Sequence, residues 1–280
     1  MKKDIYEMVT DRIIEQLEKG YIPWQKPWTG VHDGAYNRIS NKPYSLLNQM
    51  LLSKTGEYAS FKQWTELGGH IRKGEKAEIV TFWKIQQIEE ENEDGEKIIK
   101  QLPLLRYYNV FHISQVEGVE PKSIDLNELQ PIEEAERIKT EYMQREHIKI
   151  LEKVTDRAFY SPSLDYIQIP CKEQYQNIEE FYSTLFHEMT HSTGHKVRLD
   201  REDVKDCMYF GSENYSKEEL CAELGSAFLI NKLGIASSKS FSNSTAYIQS
   251  WLRVLKNDKK FIISASSRAE KAVKYILNEQ

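Results

Sequence analysis

Cysteine is scarce: the 280 residues hold three, Cys171, Cys207 and Cys221, scattered and without a Cys-x-x-Cys pair. That excludes a disulfide framework and a cysteine zinc site as organising features, and the three read as ordinary thiols. No apolar run approaches the roughly 18 residues that a helix needs to span a bilayer, so no membrane role is expected. The opening residues, Met1-Lys2-Lys3-Asp4-Ile5, lack the apolar core and cleavage site of a secretory signal, which predicts a cytoplasmic location. There is no internal repeat and no low-complexity tract. Nor is there an excess of positive charge: the net value is -5, which argues against strong nucleic-acid binding by the chain as a whole. The charge is uneven, however. Up to Ile88 there are 13 Lys and Arg against 10 Asp and Glu, so a polyanion is expected at the front.

What is present is a globular composition, 40% hydrophobic and 29% charged, on a chain long enough for two domains with a core each. Ile5, Met8, Val9, Ile13 and Leu17 recur at helical spacing, with Gly20 placed as a left-handed stop. Two prolines and a glycine between Ile22 and Gly30 interrupt regular structure up to about Tyr36. Short helices are predicted over Leu46 to Leu52 and from the cap Ser60 to Gly68-Gly69. Ile79 to Trp83 and Tyr107 to Phe111 flank an acidic tip with Asp94-Gly95, a hairpin signal. A polar, aperiodic stretch then reads as a linker, dividing the chain into 1–118, 119–131 and 132–280. Behind it a helix runs from Ile132 to about Glu146, and Ala158 to Tyr160 pairs with Tyr166 to Ile169 as a small hairpin. Four helices complete the pattern: Asn177 to Ser192, Ser216 to Leu233, Ser242 to Leu255 and Lys260 to Leu277. The fold class is α+β, with a mixed front domain carrying a long hairpin and a mostly helical rear domain.

His187-Glu188-Met189-Thr190-His191 lies within the apolar pattern of the Asn177 to Ser192 helix, beside Phe181, Leu185 and Phe186. Its two histidines stand one turn apart on one face, where both imidazoles reach a single Zn²⁺. Glu188 projects beside the metal as a general base. Catalytic zinc takes a third protein ligand and keeps one position open. The metzincin pattern needs a histidine six residues after His191, where Val197 stands. His195 lies about 6 Å too far along the axis, and Gly194 reads as the helix stop. The gluzincin pattern takes a glutamate from a second helix, and Glu219-Leu220-Cys221-Ala222-Glu223 offers it. Glu218 and Glu219 point about 100° apart, so only one faces the metal. Glu219 is the predicted ligand and Glu223, one turn on, its companion against a ligand imidazole. Glu218 and Glu223 stay open as alternative ligands, with the choice of Glu219 leaving Glu218 without a role at the metal.

Four of the five tryptophans, Trp24, Trp28, Trp64 and Trp83, lie in the first third among Lys and Arg, a mixture suited to stacking bases and following phosphates. Ile22-Pro23-Trp24-Gln25-Lys26-Pro27-Trp28, the stretch from Asn37 to Asn48, Gly69 to Lys76, Val110 to Val116, His187 to His195 and Tyr215 to Leu224 together resemble the ArdC-type antirestriction proteins. The resemblance covers nearly the whole chain in order. It implies a front domain that binds single-stranded DNA, joined to a zincin-like metallopeptidase domain, in a protein of plasmids or other mobile elements that protects incoming DNA. It places the expected DNA contacts at Trp24, Lys26, Trp28, Asn37, Arg38, Tyr44, Asn48, Arg72, Lys73 and Lys76. A protein substrate from host restriction machinery is one expectation. A protease for protein crosslinked to DNA and a DNA-coating protein with vestigial peptidase chemistry are the competing readings.

Overall fold

The computed structural model describes residues 4–19, 22–25, 34–91, 97–122, 131–175, 177–201, 213–235 and 244–279. Cys207, Gly20, Lys26 and Trp28 lie outside them. Helix α1, Ile5–Glu18, buries Val9, Ile13, Ile14 and Leu17 along one face, as its spacing predicts. Helix α2, Leu46–Leu51, is buried on every side. Helix α3, Phe61–Glu66, starts at a capping box between Ser60 and Gln63, and Gly68 follows its end at a φ of 83°.

Strands β1 (Ala35–Asn37), β2 (Gly56–Ala59), β4 (Glu78–Glu91) and β5 (Lys97–His112) form a sheet in the order β1-β2-β5-β4. β1 and β2 are parallel and the other pairs antiparallel. A separate ribbon joins β3 (His70–Ile71) to β6 (Val116–Glu117). The hairpin is long, as predicted, and its strands run well past the segments Ile79 to Trp83 and Tyr107 to Phe111, pairing from Glu78↔Val110 to Glu91↔Lys97. Beyond Trp83 neither face meets a core, so no alternation of apolar and polar residues marks it in the sequence.

In the rear, α4 (Pro131–Glu146) precedes a sheet of β7 (Lys149–Lys153), β8 (Phe159–Ser161) and β9 (Tyr166–Pro170) in the order β7-β9-β8. The antiparallel β8–β9 pair matches its prediction. The parallel β7 was not predicted, since its charged ends are exposed and only its middle is half-buried. Among the described residues four helices follow: α5 (Ile178–Ser192), α6 (Glu213–Lys232), α7 (Ser244–Asn257) and α8 (Phe261–Leu277).

One core is confined to the rear, where α4, the sheet, α5 and the end of α6 enclose Tyr142, Ile167, Phe186 and Leu229. A second crosses the chain. Ile13, Leu17, Trp24 and Met50 pack with Leu220, Leu224, Trp251, Leu255 and Ile262, so the front helices share a core with α6, α7 and α8. Thr10 Oγ1 donates to the Lys259 carbonyl at 2.6 Å, and Lys259 pairs with Asp11 at 2.7 Å across the same seam. Among the described residues no helix is long and apolar enough to cross a membrane.

Candidate functional site

Helix α5 begins at Asn177, whose side chain accepts the Glu180 N–H at 2.9 Å, and it carries the His-Glu-x-x-His motif in its last two turns. Helix α6 lies against it at unusually short range. A Cβ added at Gly225 would sit 2.6 Å from Thr190 Oγ1, so the close approach requires glycine. That approach carries the carboxylates of α6 to the imidazoles of α5.

The Nε2 atoms of His187 and His191 are 3.1 Å apart. Glu219 Oε1 lies 3.4 Å from Nε2 of His191, and Glu219 Oε2 lies 3.6 Å from Nε2 of His187. Three donors bound tetrahedrally at roughly 2.0 to 2.2 Å from one zinc ion stand about 3.4 Å from each other. The His₂Glu set therefore fits a divalent metal. Each imidazole turns its other nitrogen to a carboxylate: His187 Nδ1 is 3.7 Å from Glu223, and His191 Nδ1 is 3.1 Å from Glu218. Such partners fix the tautomer that leaves Nε2 free for a metal.

The contact at Glu223 follows the predicted arrangement. Glu218 corrects it, because the carboxylate left without a role is fully buried behind His191. It is held by Arg201, whose Nη2 and Nε donate at 2.6 and 3.0 Å. Arg201 also donates to the Thr190 carbonyl and to Thr193 Oγ1, tying Glu218 to the end of α5. No local pattern pointed to Arg201, which reaches the site from the turn after α5. His195 lies outside the cluster, as expected. Helix α5 ends at Ser192, and Gly194 follows within a tight turn closed on the His191 carbonyl at 2.9 Å.

Four carboxylates and one guanidinium surround the imidazoles, leaving strong negative charge for a cation. Burial alone would lower the proton affinity of His191, but Glu218 and Glu219 outweigh it and push its pKa up to about 10. Burial would raise Glu219 and Glu218. The two imidazoles hold Glu219 well below the carboxylate range instead, and Arg201 with His191 lowers Glu218. Burial does raise Glu188 and Glu223, although a backbone hydrogen bond from Tyr160 in β8 partly supports the Glu188 carboxylate.

At the front, Trp24 requires correction. It is fully buried, edge-on to Trp251 with centroids 5.1 Å apart, and offers no face to a base. Four other expected contacts are engaged in the fold. Asn37 Oδ1 accepts the N–H groups of Ile39 and Ser40, and its amide donates to Tyr44, itself nearly buried. Asn48 is buried and bonds Thr81 through both backbone groups, at 2.8 and 2.7 Å. Arg38 pairs with the buried Glu57. Arg72, Lys73 and Lys76 are exposed. Arg72 and Lys76 line a groove of about 870 Å³ with Arg12 and Lys54, although Arg72 also pairs with Glu75 at 2.8 Å.

Comparisons with known proteins cover both halves. Residues 136–268 match a zincin-like metallopeptidase family, and residues 3–111 match the N-terminal domain of anti-restriction factor ArdC. Two DNA primases TraC of Escherichia coli are 34% and 33% identical over 99% of the chain, which spans only 27% and 20% of their lengths. An uncharacterized protein y4eC of Sinorhizobium fredii is 32% identical, with 99% of this chain and 92% of that protein covered. The crystal structure of the antirestriction ArdC protein from the R388 plasmid, metal-free, superposes with a TM-score of 0.76 at 34% identity, covering 99% of this chain and 100% of that one. Its Mn(II)-bound form gives a TM-score of 0.78 at 32% identity, with 99% and 98% covered. With both halves matched in order and the fold shared along its length, the chain belongs to the ArdC family of antirestriction proteins.

Proposed function

We propose that the protein is an antirestriction factor of a mobile element whose front half binds single-stranded DNA and whose rear half is a zinc-dependent peptidase acting on a bound protein, host restriction machinery among the candidates. The convergence of His187, His191 and Glu219 on one point carries the reading, and the Mn(II)-bound relative supports a divalent ion there. When bound, such an ion acts as a Lewis acid toward an amide carbonyl and acidifies water. Glu188 stands on the same helix end, buried, and takes the proton of the attacking water before passing it to the leaving amine. Glu218 and Glu223 hold the imidazoles in the tautomer the ion needs. A purely structural site gives Glu188 no duty, which favours chemistry over a vestigial centre. The exposed Arg72, Lys73 and Lys76 supply phosphate contacts.

The test combines metal content with proteolysis, with and without single-stranded DNA. Glu188→Gln is expected to keep metal, fold and DNA binding while losing peptidase activity. A parent that binds no divalent metal would sink the site, and a Glu188→Gln variant that still protects DNA in cells would make coating the antirestriction mechanism.

A further inference from the structure

The hairpin β4–β5 extends beyond the sheet, and its register sorts side chains onto two chemically different faces. Residues directly opposite in an antiparallel pair share a face, and neighbours along a strand alternate. Phe82 is opposite Arg106, Lys84 opposite Leu104, and Ile88 opposite Lys100. From Val80 to Ile88 this face therefore holds three cations and no acid. The reverse face, with Trp83, Ile85 and Tyr107, holds no charge over the same length. Val80, Thr81 and Leu105 at the base are buried, but no shared core dictates the separation further out, because Phe82, Lys84, Trp83, Ile85 and Arg106 are all exposed.

The charged face also carries a ring platform. Phe82 sits edge-on to Tyr108, with centroids 5.8 Å apart, and is 43% exposed. Neither Lys84 nor Arg106 is engaged in an ion pair among the described residues. Beside Arg106 and Tyr108 a cleft of about 700 Å³ opens against the first turn of α1, with Asp4 as its one carboxylate. Aromatic rings flanked by unpaired cations complement a chain of stacked bases and phosphates. An uncharged aromatic face offers the phosphates nothing.

We infer that single-stranded nucleic acid lies along this face of the hairpin, with bases against Phe82 and phosphates at Lys84 and Arg106. The inference rests on the proposed DNA-binding function and moves the stacking surface from the buried Trp24 to the hairpin.

Anisotropy of a labelled oligo-dT titrated with the full-length protein, at several salt concentrations, tests it. Phe82→Ala is expected to weaken binding roughly 5- to 150-fold, the range for one lost base–ring stack. The double variant Lys84→Ala/Arg106→Ala is expected to flatten the slope of log affinity against log salt by about 1.4. Trp83→Ala removes a larger ring from the reverse face and is expected to bind like the parent. If the parent binds while the double variant and Phe82→Ala match it in affinity and slope, the hairpin assignment falls and the DNA-binding function stands. If the parent does not bind, both fall. Should Phe82→Ala fail to fold, as its melting curve would show, the double variant decides alone, since its side chains hold no ion pair among the described residues.

Discussion

At the metal centre the carboxylates of α6 divide the work by direction. Glu219 faces the point shared by both Nε2 atoms, Glu218 stands behind His191, and Glu223 behind His187. Replacing each by alanine is expected to give a graded series in a metal titration. Glu219→Ala loses binding most severely, because a donor is gone. Glu218→Ala weakens it about 10- to 100-fold, and Glu223→Ala by no more, since its contact is longer. Glu218→Ala should also stand apart in the metal-free protein. It strands the nearly buried Arg201 guanidinium, so unfolding stability should fall by about 3 kcal/mol, whereas Glu223→Ala removes only the longer, 3.7 Å contact to the His187 imidazole. Equal metal affinities across the three variants would contradict this geometry.

Among the elements, the segment around Trp24 and the turn joining β8 to β9 make separate claims. Trp24→Ala is expected to cost about 3 to 5 kcal/mol by chemical denaturation, the usual range for a buried tryptophan, while leaving DNA affinity unchanged in the folded fraction. A selective loss of DNA binding would return the ring to the interface. In the β8–β9 turn, Asp165 receives both terminal nitrogens of Arg198, at 2.9 and 2.8 Å, and Arg198 also donates to the Ser192 carbonyl at the end of α5. Burial would raise the Asp165 pKa, but the hydrogen bonds from Arg198 and Tyr160 outweigh it and hold the carboxyl below its ordinary value. A depressed carboxyl pKa contributes stability above the unfolded value, about 3.9, and loses it as pH falls through the folded one. Asp165→Asn should therefore be less stable than the parent by about 2 to 3 kcal/mol at pH 7, with Glu146 remaining near Arg198 as counter-charge. The gap should narrow as pH drops from about 5 to 3. Urea unfolding of both proteins across that window checks it, and a constant gap would remove Asp165 as the titrating group.

Over the whole molecule, the proposed division into 1–118, 119–131 and 132–280 lies across a core that both halves share. Helices α1 and α2 bury Ile13, Leu17 and Met50 against α6, α7 and α8, and Thr10 bonds the carbonyl of Lys259. A fragment of residues 1–118 would expose that surface and is expected to show no cooperative thermal transition, while the full chain does. A fragment that melts cooperatively with parent-like DNA affinity would show that the front half stands alone. The same seam brings the front helices against α6, the helix that presents Glu219, and so gives the two proposed activities a common structural element.

The sequence by itself determined whatever depends on residues close along the chain. The spacing of His187 and His191 sets both imidazoles on one helical face, and the pair Glu219 and Glu223 does the same for α6, so which side chains share each face was legible before any fold was known. The Ser60 cap and the β8–β9 hairpin were legible for the same reason. Only the tertiary structure decided how those faces meet. The approach of α6 at Gly225 brings Glu218 behind His191, and the turn after α5 delivers Arg201 to hold it there, a contact across 17 residues that no periodicity encodes. Composition could count tryptophans near cations but not say which were inside: Trp24 is core because α7 places Trp251 against it. The long hairpin was legible but the extent of its paired strands was not, because strands without a core carry no alternation, yet its register, once set, separates charge by face. Local spacing selects which side chains share a surface, and long-range packing selects which surfaces become a site.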